Sequence, residues 1–163
     1  MTKRSHSLLV ALRFGIGKVL YIGGFAQYHH GIHNWAMTQL QKAAVGHHQG
    51  AQLLLGQLLK YRGTSIQAKA AGIEYLRQAA SSGSCEACFM LAEATADKNL
   101  IMGSAHQRDR LGLYLQAAEA GHIMAALRLS QFYREGSADG DINIKQADYW
   151  LEQFMKNGQC VEL

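Results

Sequence analysis

Two cysteines, Cys85 and Cys88, have a spacing at which thiols can do chemistry together. They follow Gly83-Ser84 at the expected start of a helix, where free amide groups and the helix dipole lower a thiol pKa. Such a pair could support redox exchange or supply two of the four ligands of a zinc site. Both cysteines also stand beside Ala87, where buried small residues are expected, and a free cysteine commonly fills such a position. We therefore expect no catalytic residue, with a thiol-dependent redox or metal-binding protein as the alternative.

The histidines form two clusters that could also bind a metal. His29, His30 and His33 make up the first cluster, and His47 and His48 make up the second. A helix running from one cluster to the other would separate His33 from His47 by ~21 Å, at about 1.5 Å per residue. The clusters cannot form one site, and turn histidines on a basic surface are typically exposed to solvent. Neither a metal nor a cofactor is therefore expected.

Charge is divided unequally along the chain. Sixteen of the 163 residues are Lys or Arg and twelve are Asp or Glu, but the first carboxylate is Glu74. The part before Glu74 carries eight cations, a formal charge of +8 that leaves −4 for the remainder. Such asymmetry indicates that the N-terminal part meets an anionic surface. We expect an acidic protein there, ahead of nucleic acid or a membrane, and a module that docks an anionic surface is a further alternative.

The most hydrophobic stretch, 8–22, is the candidate for a targeting or membrane segment. Arg13 and Lys18 interrupt it, and it falls short of the ~20 apolar residues that span a bilayer. Three cysteines are too few for a disulfide framework, which fits a reducing compartment. A cytoplasmic location is therefore expected, with an exported or periplasmic location as the alternative if residues 1–26 act as an atypical signal.

A repeated pattern organises the chain. Leu40 begins a segment that contains a pair of alanines, and the same pattern returns from Leu76 and from Tyr114, at spacings of 36 and 38 residues. A weaker copy begins at Trp150. The pattern and the absence of proline predict helices at 8–22, 34–45, 50–62, 68–81, 84–97, 107–120, 122–134 and 144–157.

Neighbouring helix pairs are expected to stack into a single repeat domain. Within a first helix, Ala36, Leu40 and Ala43 lie on one stripe at helical spacing and would pack against the partner helix. One pair could not bury all the apolar side chains, so successive pairs must pack on each other. The expected fold is all-α, a right-handed α-α superhelix (solenoid) of helix-turn-helix repeats. The domain, 1–163, would contain a half-repeat at 8–24, full repeats at about 34–63, 68–98 and 107–136, and a final half-repeat at 144–158.

These repeats resemble those of the Sel-one-like repeat family, relatives of the tetratricopeptide repeats. The resemblance covers roughly residues 9–158 and rests on Leu55-Gly56 with Gly63, Ala79-Ala80 with Gly83, and Ala117-Ala118 with Gly121. His47 departs from the pattern, because it occupies the position of the turn glycine. The resemblance implies a non-enzymatic adaptor that gathers other proteins, often in bacterial signalling, secretion or envelope assembly, and it implies no shared catalytic residues.

The face of each first helix opposite its buried stripe would line the concave side of the superhelix and bind a protein partner. Carrying this face through the repeats gives the candidate binding residues Gln41, Glu74, Arg77, Leu115, Tyr149 and Glu152. Leu115 and Tyr149 are expected to be exposed and to act as the apolar anchors, because such side chains dominate binding energy.

The first helix is too apolar for the free end of a repeat array, which normally presents a polar face. Its apolar residues include Leu8, Leu9, Leu12, Phe14, Ile16, Val19 and Leu20. We therefore expect this helix to dock against a second copy of the chain or a larger assembly. A homo-oligomer formed through the apolar N-terminal helix is the corresponding prediction.

Overall fold

The structure, a computed structural model, describes residues 2–22, 30–95, 105–136 and 142–159. Eight helices and no strand occur in these ranges. The helices are α1 (Thr2–Ile22), α2 (His30–Val45), α3 (Gln49–Arg62), α4 (Ile66–Ser81), α5 (Cys85–Thr95), α6 (Ala105–Glu119), α7 (Ile123–Glu135) and α8 (Ile144–Gln159). The all-α repeat fold expected from the sequence is confirmed, and the predicted connection at 98–106 lies mostly outside the described residues.

Helix α1 begins at Thr2, well before the predicted start at residue 8. That prediction rested on the apolar periodicity, which starts only at Leu8, whereas residues 2–7 contain no glycine or proline to stop a helix. Helix α2 likewise begins at His30 rather than at 34, because its apolar stripe starts several residues inside the helix. The other described helix ends agree with the prediction to within a few residues.

The chain forms two compact units, unit 1 (Met1–Ser82) and unit 2 (Gly83–Leu163). Within unit 1, α1 packs on α2, α2 on α3, and α3 on α4. Within unit 2, α5 packs on α6, α6 on α7, and α7 on α8. Short connections make consecutive helices antiparallel neighbours within each unit. The boundary between the units falls inside the predicted full repeat 68–98, between α4 and α5.

Apolar residues of the first helices lie at the centre of the core, as unit 1 shows. Ala36, Leu40 and Ala43 are completely buried, as their spacing predicted. The second helices contribute less than expected, because Leu55 is completely buried while its neighbours Leu54 and Leu58 only pack against the edge of the core. The apolar second-helix residues therefore divide between the core and its border.

Glycines let α3 and α4 approach each other closely. A Cβ placed on Gly56 would lie 2.6 Å from the Cγ of Leu76, and one placed on Gly72 would lie 2.8 Å from the backbone nitrogen of Lys60. The same arrangement recurs between α1 and α2, where a Cβ on Gly17 would lie 2.7 Å from the Cγ of Leu40. The Leu-Gly feature of the repeat is thus a packing contact between one pair and the next.

The turns between paired helices repeat in backbone detail. After α2, the His48 amide donates to the Ala43 carbonyl (3.1 Å); after α6, the His122 amide donates to the Ala117 carbonyl (2.9 Å). This bond belongs to the Schellman motif, which needs a residue of positive φ at the helix end. Gly121 has a φ of 87° there, and His47 has a φ of 59° at the equivalent position.

We expect His47→Gly to stabilise the protein. A side chain in the left-handed region costs about 1 to 2 kcal/mol, and the extra freedom of glycine in the unfolded chain offsets part of that gain. The free energy of unfolding, measured by urea denaturation, should rise by about 0.5 to 1 kcal/mol. Gln41→Gly, inside a helix, is the control and should lower it by about 1 kcal/mol; a loss in both variants would contradict the assignment of strain to His47.

Second helices begin with a side-chain cap. The Nδ1 atoms of His48 and His122 accept hydrogen bonds from the amides of Ala51 and Ala125, at 3.3 and 3.2 Å. Ser84 caps α5 in the same way, through Ala87 (3.2 Å). These bonds satisfy amides that have no partner within the helix. The capping positions follow the repeat period, and so do the alanines whose amides they bind.

Asn143 caps the last helix, α8. Its Oδ1 accepts a hydrogen bond from the amide of Gln146 at 3.2 Å. Asn is among the residues preferred at this position because its short side chain reaches the free amides of the first turn.

Candidate protein-binding surface

In unit 1, the predicted binding residues lie on the exposed faces of the first helices. Gln41 on α2 is exposed, as are Glu74 and Arg77 on α4. The Arg77 guanidinium donates to the Glu74 carboxylate one helical turn away. Exposed ion pairs of this kind add little to stability, so both charges remain available to a partner.

A groove of about 530 Å³ lies between α2 and α4, beside these residues. Its lining comprises Ala44, Val45, His47, Ala71, Glu74, Tyr75 and Gln78. Val45 is 72% exposed although it is aliphatic. Ligand sites are typically concave, largely apolar and edged by a few polar groups, and this groove has those features. Of the predicted residues, only Glu74 belongs to its lining.

A buried amide fixes the position of the two helices that form the groove. Gln52 on α3 is almost completely buried, and its Nε2 donates to the carbonyl of Ala44 (3.3 Å) and to the Oε1 of Gln78 (3.2 Å). These bonds join the last turns of α2 and α4 through one side chain of α3. A buried polar group that makes such bonds holds its partners in a defined arrangement, so Gln52 links two residues of the groove lining, Ala44 and Gln78.

In unit 2, one expected anchor is less exposed than predicted. Leu115 is partly buried on α6, next to the buried Tyr114. Tyr149 is half-exposed and packs edge-on against the largely buried Trp150, with ring centroids 5.1 Å apart. Tyr149 is therefore the exposed aromatic group of this unit's first-helix face, and Leu115 lies at its border.

Glu152 is exposed and forms an ion pair with Lys156 one turn later, at 2.8 Å. The hydrogen bond from Lys156 and its positive charge lower the pKa of the Glu152 carboxyl, and the same contact raises the pKa of Lys156. Both groups are charged near neutral pH, so this part of the face presents a dipole to solvent.

A polar network in unit 2 was not predicted from the sequence. The Tyr114 hydroxyl on α6 donates to the Glu93 carboxylate on α5 (2.7 Å), and the Arg128 guanidinium on α7 donates to the same oxygen (2.9 Å). Burial and the Glu93 carboxylate raise the pKa of the Tyr114 hydroxyl above its usual range. Tyr114 stands where the two preceding full repeats have Leu, and the network provides a partner for its buried hydroxyl. The network also joins three helices, α5, α6 and α7.

The cysteine pair has the environment of packed side chains. Cys88 is buried, and burial, followed by the charge of Cys85, raises its thiol pKa. Because the thiolate is the reactive and metal-binding form, a raised pKa disfavours redox and zinc chemistry at Cys88. Cys85 is partly buried, and its thiol, like that of Cys88, forms no disulfide. Cys160 lies outside the residues that the structure describes.

The described histidines of the two clusters make other contacts. His48 uses its Nδ1 for the helix cap and stacks on Phe14, with ring centroids 4.3 Å apart. His33 lies against the ring of Tyr21. Within 2–22, 30–95, 105–136 and 142–159, no group of three His, Cys, Asp or Glu side chains is arranged to hold a metal ion. The side chains of His29 and His30 lie outside the part that can be described.

Across the same ranges, no helix combines the length and the hydropathy that crossing a bilayer requires.

Comparison with known proteins supports the fold. No family model matches the chain. No curated protein sequence matches it. Among solved structures, the chain is similar to one described as a Sel1 repeat protein from Oxalobacter formigenes, with a TM-score of 0.63 and 20% sequence identity over 74% of this chain and 90% of that one. The helices, their repeated turns and this likeness together show that the chain has the Sel1-type helical repeat fold.

Proposed function

We propose that this protein is a non-enzymatic scaffold that binds another protein through the exposed faces of its first helices. The observation that carries the proposal is the groove between α2 and α4, with an exposed aliphatic side chain at Val45 and polar groups at its edge. Burying an exposed aliphatic residue in a concave site favours binding, and the polar edge supplies orientation. Repeat proteins use surfaces of this kind to hold their partners.

Unit 2 would add a second contact. Tyr149 offers an exposed aromatic ring held in place by Trp150, and Glu152 with Lys156 adds charge beside it. Rigid aromatic side chains are common anchors of interfaces because little side-chain entropy is lost on binding. The proposed binding residues are therefore Val45, Glu74 and Tyr149, in addition to the other residues predicted from the sequence.

The burial and raised thiol pKa of Cys88 favour this proposal over a thiol-dependent activity. The family resemblance implies a setting in bacterial signalling, secretion or envelope assembly, and an identified partner would place the protein in one of them. The cytoplasmic location stays a prediction.

The proposal is tested by matched lysine substitutions in unit 1. Val45 in the groove and Ile66 outside it are both exposed β-branched residues, at 72% and 80%. A partner captured on the intact protein, identified by mass spectrometry and then purified, would be titrated calorimetrically against Val45→Lys and Ile66→Lys. We expect Val45→Lys to weaken binding by about tenfold or more, and Ile66→Lys to change it by less than about threefold.

Tyr149→Ala serves as the corresponding variant in unit 2 and should also weaken binding of that partner. Equal affinities for Val45→Lys, Ile66→Lys and the unmodified protein would contradict the assignment of the groove as the binding site.

A further inference from the structure

Helix α1 has an apolar face that its own unit leaves uncovered. On one side of the helix, Val10 is buried and Gly17 packs against Leu40 of α2. On the other side, Leu8, Leu12 and Val19 are 71, 62 and 65% exposed. Scattered exposed apolar residues need no explanation, but a contiguous apolar face marks an interaction site.

The exposed residues have the spacing of a helix-helix seam. Leu8, Leu12, Gly15 and Val19 are separated by four, three and four residues, which is the alternation of a and d positions in a heptad. Val10 and Gly17 fall at the f positions of the same heptads, on the opposite side of the helix. One face of α1 therefore packs within unit 1, and the other has the pattern of a helix that pairs with a second helix. We call Leu8, Leu12, Gly15 and Val19 the α1 seam.

The α1 seam borders an apolar groove of about 600 Å³. Leu12, Gly15 and Val19 line it, and Trp35, half-exposed on α2, forms part of its wall. A Cβ on Gly15 would meet no atom within 4 Å, so this glycine leaves an open space between the larger side chains. A helix laid along the seam could bring its backbone close at this point and fit larger side chains on either side.

Charge determines which helix would fit. No carboxylate precedes Glu74, so every charged group of α1 and α2 is a cation. Lys18 stands at the g position beside the α1 seam, where coiled coils place the charges that select a partner. Its ammonium group lies over the ring of Phe14, at 5.8 Å from the centroid. A second copy of α1 would bring cations against cations, whereas an acidic helix would neutralise them.

We propose that the α1 seam binds an amphipathic helix of another protein, with aliphatic residues at its a and d positions and Asp or Glu at the flanking positions. Its residues differ from those of the first-helix faces, so it goes beyond the proposed function. The two sites would let unit 1 hold two protein segments at once.

Synthetic helical peptides of the same length as α1, 21 residues, provide the probe. Both would carry Leu at a and d; one would carry Glu at e and g, and the control peptide would carry Lys there. Like charges at e and g keep each peptide from pairing with itself. Binding to the full-length protein would be measured by fluorescence anisotropy of the labelled peptide and by the change in tryptophan emission, to which Trp35 beside the α1 seam contributes.

We expect the Glu peptide to bind at least about tenfold more tightly than the Lys peptide, and its affinity to fall as salt is added. Leu12→Glu should weaken that binding by about tenfold or more, while Ser7→Glu, the same charge on an exposed residue outside the seam, should have little effect. Lys18→Glu should weaken binding of the Glu peptide and strengthen binding of the Lys peptide.

Three outcomes would overturn the proposal. Equal binding of both peptides would show that charge does not select the occupant, and binding of neither would show that the seam does not take up such a helix. Self-association of the protein alone, lost in Leu12→Glu, would assign the seam to a second copy of the chain. Binding to anionic phospholipid vesicles that depends on Leu12, without binding to the Glu peptide, would assign it to a membrane. Val45→Lys should leave peptide affinity unchanged, which separates this test from that of the proposed function.

Discussion

Replacing Ala79 with Arg is expected to lower the free energy of unfolding by about 3 to 5 kcal/mol, the usual effect of an unpaired charge in a protein core. Ala79 belongs to the alanine pair of the second repeat and is completely buried on α4. The guanidinium would be shielded from water, and the longer side chain would also push neighbouring helices apart. Urea denaturation followed by circular dichroism measures the change.

Ala70→Arg is the control for this prediction. It makes the same substitution in the same helix, at an exposed position, and should change the free energy of unfolding by no more than about 0.5 kcal/mol. If both variants were equally stable, the alanine pair would not be the buried contact between paired helices, and the register of the repeat would be wrong.

Leu76→Ala should lower the free energy of unfolding by about 2 to 5 kcal/mol, because it opens a cavity where a completely buried side chain packs. Gly56→Ala should also destabilise the protein, by about 1 to 3 kcal/mol, although alanine normally favours a helix by about 1 kcal/mol. The reason is the contact of 2.6 Å between the added Cβ and the Cγ of Leu76.

The two substitutions should partly compensate each other. With Leu76 shortened, the methyl group at position 56 fills part of the cavity, so the double variant should lose less stability than the sum of the single losses. Gly56→Ala combined with Leu40→Ala is the control, because Leu40 packs on Gly17 instead, and these losses should add. Strict additivity in both double variants would contradict the paired Leu-Gly packing between successive repeats.

The sequence was most informative where one residue type has one structural use. The recurrence of Leu40, Leu76 and Tyr114 predicted the repeats, since large apolar residues at that period must occupy equivalent buried positions. The turn glycine was equally informative, and even its replacement by His47 kept the positive φ. The start of α1 was predicted poorly, because nothing at residues 2–7 marks a helix end.

The binding surface was harder to predict because it depends on contacts between distant segments. Gln41, Glu74 and Arg77 were correctly expected to be exposed, since they lie opposite a buried stripe. The groove is lined by residues of both α2 and α4, such as Val45 and Tyr75, and no local pattern indicates that these segments come near each other. Two residues of its lining, Ala44 and Gln78, are joined by the buried Gln52, whose polar side chain would ordinarily be expected on the surface.

Photo-crosslinking at position 45 is the most direct test of protein binding in the α2-α4 groove. A photo-reactive amino acid would replace Val45 in the full-length protein, and the same amino acid in place of the exposed Ile66 would be the control. After irradiation in cells, we expect a discrete crosslinked protein at position 45 that is absent at position 66. In a lysate, the yield of that crosslink should fall when purified partner is added. Equal crosslinking at both positions, or none at position 45 while the captured partner is bound, would contradict the account.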